Sequence, residues 1–156
     1  MQVHALDLND FCEENYTLIG VHTTLEDYKL AFLLNSHLKT GFHRASYSLD
    51  FSNTAEDVSF SIYDYTNKEY DFEWYLIANS CSQEVKLNSS GLLQSTETKT
   101  YLIKEKKKVD FFIKIVGETD RSYITKTIDK INAINQVVTS YQVDTNTLKS
   151  KDFLIF

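Results

Sequence analysis

From Val109 the chain alternates: Val109, Phe111, Ile113 and Ile115 share one parity, Asp110 and Lys114 the other. A period of two built from aromatic and β-branched residues predicts a strand with one well-buried face. Tyr16 to Val21 is nearly continuous in apolar character and predicts a strand buried on both faces. Val58, Phe60 and Ile62 alternate with serines, and Phe72, Trp74 and Leu76 alternate with Glu73 and Tyr75, which sends Tyr75 outward. Thr66-Asn67-Lys68-Glu69 joins those two runs as a hairpin. Gln136 to Val143 alternates again, Val137, Thr139, Tyr141 and Val143 against Gln136, Ser140 and Gln142. Shorter strands are predicted at Tyr47–Phe51 and Tyr101–Ile103, and a strand or extended lead-in within Met1–Asn15.

Two segments carry helical periodicity instead. Leu25 to Leu38 has one stripe of Leu25, Tyr28 and Phe32 and another of Leu30, Leu33, Leu34 and Leu38, an apolar face wide enough to lie across a sheet. Thr23 or Thr24 is its expected N-cap, with Glu26 or Asp27 completing a capping box, and Gly41 is its expected stop. The second helix follows Thr119 or Asp120, with Ile124, Ile128 and Ile131 inward and Lys126 and Lys130 outward. Ser52 to Asp57 is predicted as a turn, and Asn79 to Glu97, rich in Ser, Asn and Gln, as a connection with its tip at Ser89-Ser90-Gly91.

The elements predict an α+β fold: one domain spanning residues 1–156, a largely antiparallel sheet, and two helices packed on one face. The two strand-helix-strand pieces suit the halves of a ferredoxin-like core with a hairpin inserted between them.

Composition narrows the class. A 42% apolar and 24% charged chain of 156 residues can bury its own core without a metal or disulfide staple. The net charge of −6 opposes binding to nucleic acid or anionic membrane unless a local basic patch overcomes it. No apolar run reaches the ~20 residues of a membrane span. The amino-terminal residues lack a basic start and an apolar core, so the expectation is a cytoplasmic protein whose Cys12 and Cys81 stay reduced.

Candidate chemistry is sparse. His4, His22, His37 and His43 have no metal-ligand spacing, although a strand end at His22 and a helix at His37 could bring those two together. Cys12 and Cys81 read as small core or rim residues. Asp110 and Glu105 are carboxylates without a second half of a site. No glycine-rich phosphate loop and no Gly-x-Ser-x-Gly is present. The sequence therefore predicts no catalytic residues, no metal and no cofactor.

Three features carry a binding expectation. Lys104, Lys106, Lys107 and Lys108 form the strongest local charge, either a solvated turn guarding a strand edge or an anion-binding patch without interleaved aromatics. Tyr75, within the series Tyr63, Tyr65, Tyr70, Phe72, Trp74 and Tyr75, suits a protein interface. Phe153-Leu154-Ile155-Phe156 is an apolar run expected to be tied down, as a strand on the sheet edge or as an anchor in a partner's groove, with Phe156 at its end.

The segment Ile103-Lys104-Glu105-Lys106-Lys107-Lys108-Val109-Asp110-Phe111 resembles the signature of the IPExxxVDY family. Lys104 stands where that pattern has Pro, which frees a backbone donor and removes a fixed kink, and Phe111 where it has Tyr, which loses a hydroxyl. Tyr16 to Leu38, Gln136 to Val143 and the closing Lys-Ser-Lys-Asp-Phe-Leu-Ile-Phe are similar to family members as well. The resemblance implies a small bacterial protein with no assigned activity, of a family often encoded beside ribonuclease III and fatty-acid-synthesis genes. It gives no catalytic residues to carry over. The reading that follows is a non-catalytic protein-interaction module with a protein partner. The alternative is an RNA-associated or small-molecule-binding factor.

Overall fold

A computed structural model describes residues 15–51, 58–89, 92–154 and 156. Its central strand is the one the alternation announced. Six strands form the main sheet: β1 (Tyr16–Thr23), β2 (His43–Arg44), β5 (Ile62–Asn67), β6 (Phe72–Ala78), β9 (Phe111–Val116) and β10 (Val137–Val143). Their spatial order is β10-β1-β9-β6-β5-β2, antiparallel at every pairing. Helix α1 (Asp27–Leu38) follows β1 and helix α2 (Arg121–Asn132) follows β9. Both pack on one face, over Ile19, Val21, Trp74, Leu76, Phe111, Ile113 and Ile115. The fold is α+β as expected, and β10, β1, β9 and β6 with the two helices have the interleaved order of a ferredoxin-like split βαβ core.

Two insertions decorate that core, where the sequence suggested a single hairpin between the halves. The second strand of the first half is β6, because Tyr47–Phe51 does not enter the main sheet. Only Leu49–Phe51 is extended, as β3, and it pairs with β4 (Val58–Phe60) in a separate two-stranded sheet. The run Val58 to Ile62 is accordingly split, β4 in the small sheet and β5 in the large one. The β5–β6 hairpin forms as expected, with Asp71 at φ 55° closing its turn. The second insertion is β7 (Ser80–Ser89) paired with β8 (Leu92–Tyr101), a ribbon where the sequence suggested a loop. No period-two signal betrayed it because Thr96, Glu97, Thr98 and Lys99 are all exposed: where neither face is covered, alternation has no cause. Tyr101 ends β8, and Leu102 and Ile103 lie beyond it. The lead-in within residues 1–14 and the turn at 52–57 lie outside the described residues, as does Ser90-Gly91.

The second face of the sheet is also covered, so β9 is buried on both sides rather than one. Leu18, Ile77 and Phe112 meet Val58 and Phe60 of β4, Leu102, Ile103 and Val109 of the loop before β9, and Leu148 and Leu154 of the tail. Val109 shares parity with Phe111 yet joins this opposite cluster, because the strand starts only at Phe111.

The helix ends differ from the sequence reading in detail. On α1 the buried residues are Leu30, Ala31 and Leu34, while Tyr28 (55% exposed) and Phe32 (69%) point away from the sheet, so the apolar face is narrower than the stripes suggested. Thr23 is not its cap; its hydroxyl accepts from Leu25 N and donates to Gln136 O, tying β1 to the start of β10. The helix stops at Lys39, left-handed at φ 58°, two residues before Gly41. Asp120 does cap α2, accepting from Tyr123 N at 2.6 Å. Near the end of each helix an asparagine amide brackets one backbone residue. Asn35 accepts from Phe42 N and donates to Phe42 O; Asn132 does the same with Ser140. Val21, opposite Ser140, gives its carbonyl to Asp110 N on the β9 side, so the polar groups of Ser140 point off the sheet edge. Asn132 thereby occupies the middle of an edge strand that carries no charge of its own.

Candidate functional site

The lysine turn is built by a buried asparagine. Asn79, fully buried after β6, donates from its side-chain nitrogen to the carbonyls of Lys106 and Val109, both at 2.9 Å, and accepts from Ile103 N at 2.8 Å. Its backbone bonds Leu102 N and Asp110 O. Held this way, Lys104–Lys106 makes one 3₁₀ turn, and Lys104, Lys107 and Lys108 are exposed with Lys106 partly so. The acidic residues of the same stretch fasten other segments to it. Asp110 accepts from Thr23 N at 2.9 Å, and Glu105 accepts from the Ser150 hydroxyl at 3.0 Å. The Glu105 carboxyl is held below the usual carboxylate range by its own backbone N–H, then by the Ser150 hydroxyl and the amides of Lys149 and Ser150. The whole stretch from Ile103 to Phe111 thus performs a structural task, pinning the tail and the end of β1 around the head of β9.

The two other residues singled out in the sequence come together. Tyr75 lies on the face opposite Trp74, as predicted, but it is covered: its ring meets Phe156 edge-on at 5.0 Å between centroids. Between them sits Lys114, the polar-parity residue of β9, which is fully buried. Its ammonium donates to Leu154 O at 2.7 Å and stands 5.0 Å from the Tyr16 ring, 5.7 Å from Tyr75 and 4.6 Å from Phe156. Taking an ammonium out of water costs several kcal/mol. A charge-assisted bond and three ring faces offset that cost. Tyr75 donates to Glu73 at 3.0 Å, and burial, then Glu73, raises its phenol well above its ordinary range. The apolar tail is therefore tied down, though not as a strand on the sheet edge: Lys151–Leu154 is a 3₁₀ turn laid on the second face, with Leu154 fully buried. Lys104, Lys106, Lys107 and Lys108 are not part of this chamber, and Glu105 of their turn holds the tail through Ser150.

The lysine run does acquire an aromatic partner that the linear sequence hid. Lys99 on β8 and Lys107 in the turn both lie over the Tyr101 ring, at 5.5 and 5.6 Å. From this base the β7–β8 ribbon extends ten residues along each strand, in its own two-stranded sheet, with β7 resting on β4. Glu84 and Glu97 stand directly opposite one another on it, both exposed. Like charges at that separation destabilise a pair by roughly 0.2–1 kcal/mol.

A cleft on the helix face escaped sequence reasoning altogether. It encloses about 180 Å³ between the end of α1, the β5–β6 hairpin and α2, and Lys39, Tyr65, Tyr70, Trp74, Tyr123 and Lys130 line it. Rings form its floor: Tyr123 meets Phe72 at 5.5 Å and Trp74 edge-on at 6.4 Å, and Phe72 stacks on Tyr70 at 6.1 Å. Burial, then proximity to Tyr65 and Tyr70, raises the Tyr123 phenol. Trp74 is 2% exposed, and its indole N–H has no acceptor among the described residues. Single-sequence patterning could mark Trp74 as core, but only the tertiary fold sets Tyr123 and Lys130 beside it.

Of the described histidines, His22 shares a hydrogen bond with Tyr141 at 3.1 Å, His43 pairs with Asp64 at 3.0 Å and His37 sits in the last turn of α1, while His4 lies outside the described residues. Cys81 is a free, half-buried thiol packed on the second-face core, in keeping with a rim residue, and Cys12 lies outside the described residues. Among the described residues no group of three or more His, Cys, Asp or Glu could hold a metal ion, and no helix is long and apolar enough to cross a membrane. No known family model matches the sequence, and no curated protein or solved structure is significantly similar to it.

Proposed function

We propose that this protein is a non-catalytic interaction module that engages a protein partner through the β7–β8 ribbon. The observation that carries the reading is a long two-stranded ribbon solvated on both faces at Thr96 to Lys99. A hairpin without a third strand or a packed helix is marginal in water. A partner strand along either edge, or a surface against either face, supplies what the ribbon lacks. The facing Glu84 and Glu97 give that partner a chemistry: a lysine or arginine placed between them turns a local repulsion into a charge-assisted contact. The resemblance to the IPExxxVDY family belongs to the same reading, since the residues that carry it build the base from which the ribbon springs.

The test compares the whole chain with a variant in which Gln83 to Thr98 is replaced by Asn-Gly, a two-residue turn suited to a hairpin. Both are used for affinity capture from native lysate, washed at rising salt. The shortened protein should melt within a few degrees of the parent and lose the captured protein. Identical capture by the two proteins would refute the ribbon as the interface.

A second reading, association with RNA, is favoured by Lys99 and Lys107 at 5.5 and 5.6 Å from the Tyr101 ring, with Lys104 and Lys108 in the same loop: a base can stack where cations gather. The net charge of −6 works against it. Nuclease treatment of the captured material separates the readings, because a complex bridged by RNA disperses and a protein complex does not.

A further inference from the structure

We propose that the helix-face cleft is a binding site for a one-ring aromatic carboxylate. The ring would lie among Tyr65, Tyr70 and Tyr123. The carboxylate would be countered by Lys39 and Lys130. Three observations converge on this chemistry. Tyr65, Tyr70 and Tyr123 bring three rings to one void. The lining contains two ammonium groups and no carboxylate, in a chain whose net charge is −6. The volume of about 180 Å³ is that of a single ring, since an apolar cavity of about 150 Å³ accommodates benzene. Nucleotides and multi-ring ligands are too large for it.

The three tyrosines come from separate elements. Tyr65 is on β5, Tyr70 is in the hairpin turn, and Tyr123 begins a row with Thr127 and Lys130 along one side of α2. This site is independent of the ribbon, and either can fail without the other.

The chain has a single tryptophan, so its indole N–H gives one resolved nuclear magnetic resonance signal that reports on the cleft. Benzoate is the probe, with benzyl alcohol and inorganic phosphate as controls for charge and ring. Benzoate should shift the indole proton in a saturable manner, through the change in ring surroundings at Trp74, with an affinity in the millimolar range or better. Neither control should do so. The double variant Lys39→Asn, Lys130→Gln should weaken benzoate binding by about tenfold or more, as expected for loss of charged partners. Both positions are exposed, and Asn tolerates the left-handed backbone at position 39, so the variant keeps its fold. Absence of a saturable shift with benzoate would overturn the proposal. So would an equal response to either control, or unchanged affinity in the double variant.

Discussion

Asn79→Ala should be among the most damaging substitutions in this protein. The side chain is fully buried and satisfies three backbone groups of the loop before β9: Ile103 N at 2.8 Å and the carbonyls of Lys106 and Val109 at 2.9 Å. Alanine leaves all three without that partner. A buried backbone group stripped of its partner costs about 1–3 kcal/mol, while the Lys106 carbonyl loses less because it keeps the bond it accepts from Val109 N at 3.0 Å. The expected sum is about 3–6 kcal/mol, a large share of the roughly 5–15 kcal/mol that holds a domain together. In urea, with a slope of about 2 kcal/mol per molar, the midpoint should fall by roughly 2 M while the slope stays constant. Asn79→Asp sharpens the test. It keeps an acceptor for Ile103 N but sets a carboxylate against two carbonyl oxygens, so it should be no more stable than the alanine variant. A loss below about 1 kcal/mol for Asn79→Ala would show that the loop does not depend on this bracket.

Leu154→Ala probes the tail: the residue is fully buried on the second face, so truncation should cost about 2–5 kcal/mol in chemical denaturation, and a loss under about 1 kcal/mol would mean the tail is not part of the core. Alkaline titration probes the buried phenols. Tyr75 and Tyr123 are raised above 10.0 chiefly by burial, so the folded state holds their protons more tightly than the unfolded chain does. The stability they contribute is whole below pH 10 and declines as the pH climbs toward their folded values. Ultraviolet titration of tyrosinate should therefore show a late fraction missing from Tyr75→Phe and Tyr123→Phe, and a parent protein whose tyrosines all ionise at the ordinary position would contradict the burial.

What the sequence determined by itself was the set of elements whose burial is one-sided or complete along a continuous stretch. β9 announced itself because its apolar residues follow the pleat, β1 because its run is apolar almost throughout, and α2 because its isoleucines follow the helical turn and Asp120 sits where a cap is needed. From these the α+β class followed, since two amphipathic helices need a sheet face to cover. The tertiary structure alone decided which face each residue's neighbours would occupy. Lys114 falls on the polar parity of β9, yet the tail, 40 residues further on, closes over it and converts that parity into a chamber. Tyr28 and Phe32 carry the same apolar label as Leu30 and Leu34, yet they face away from the sheet. The ribbon's β8 left no trace because a stretch exposed on both faces, as Thr96 to Lys99 is, has no hydrophobic period to display. The aromatic cleft was invisible for a further reason. Its rings come from a hairpin and a helix about 50 residues apart, and an unpaired indole N–H is a property of three-dimensional surroundings that no single stretch of chain contains.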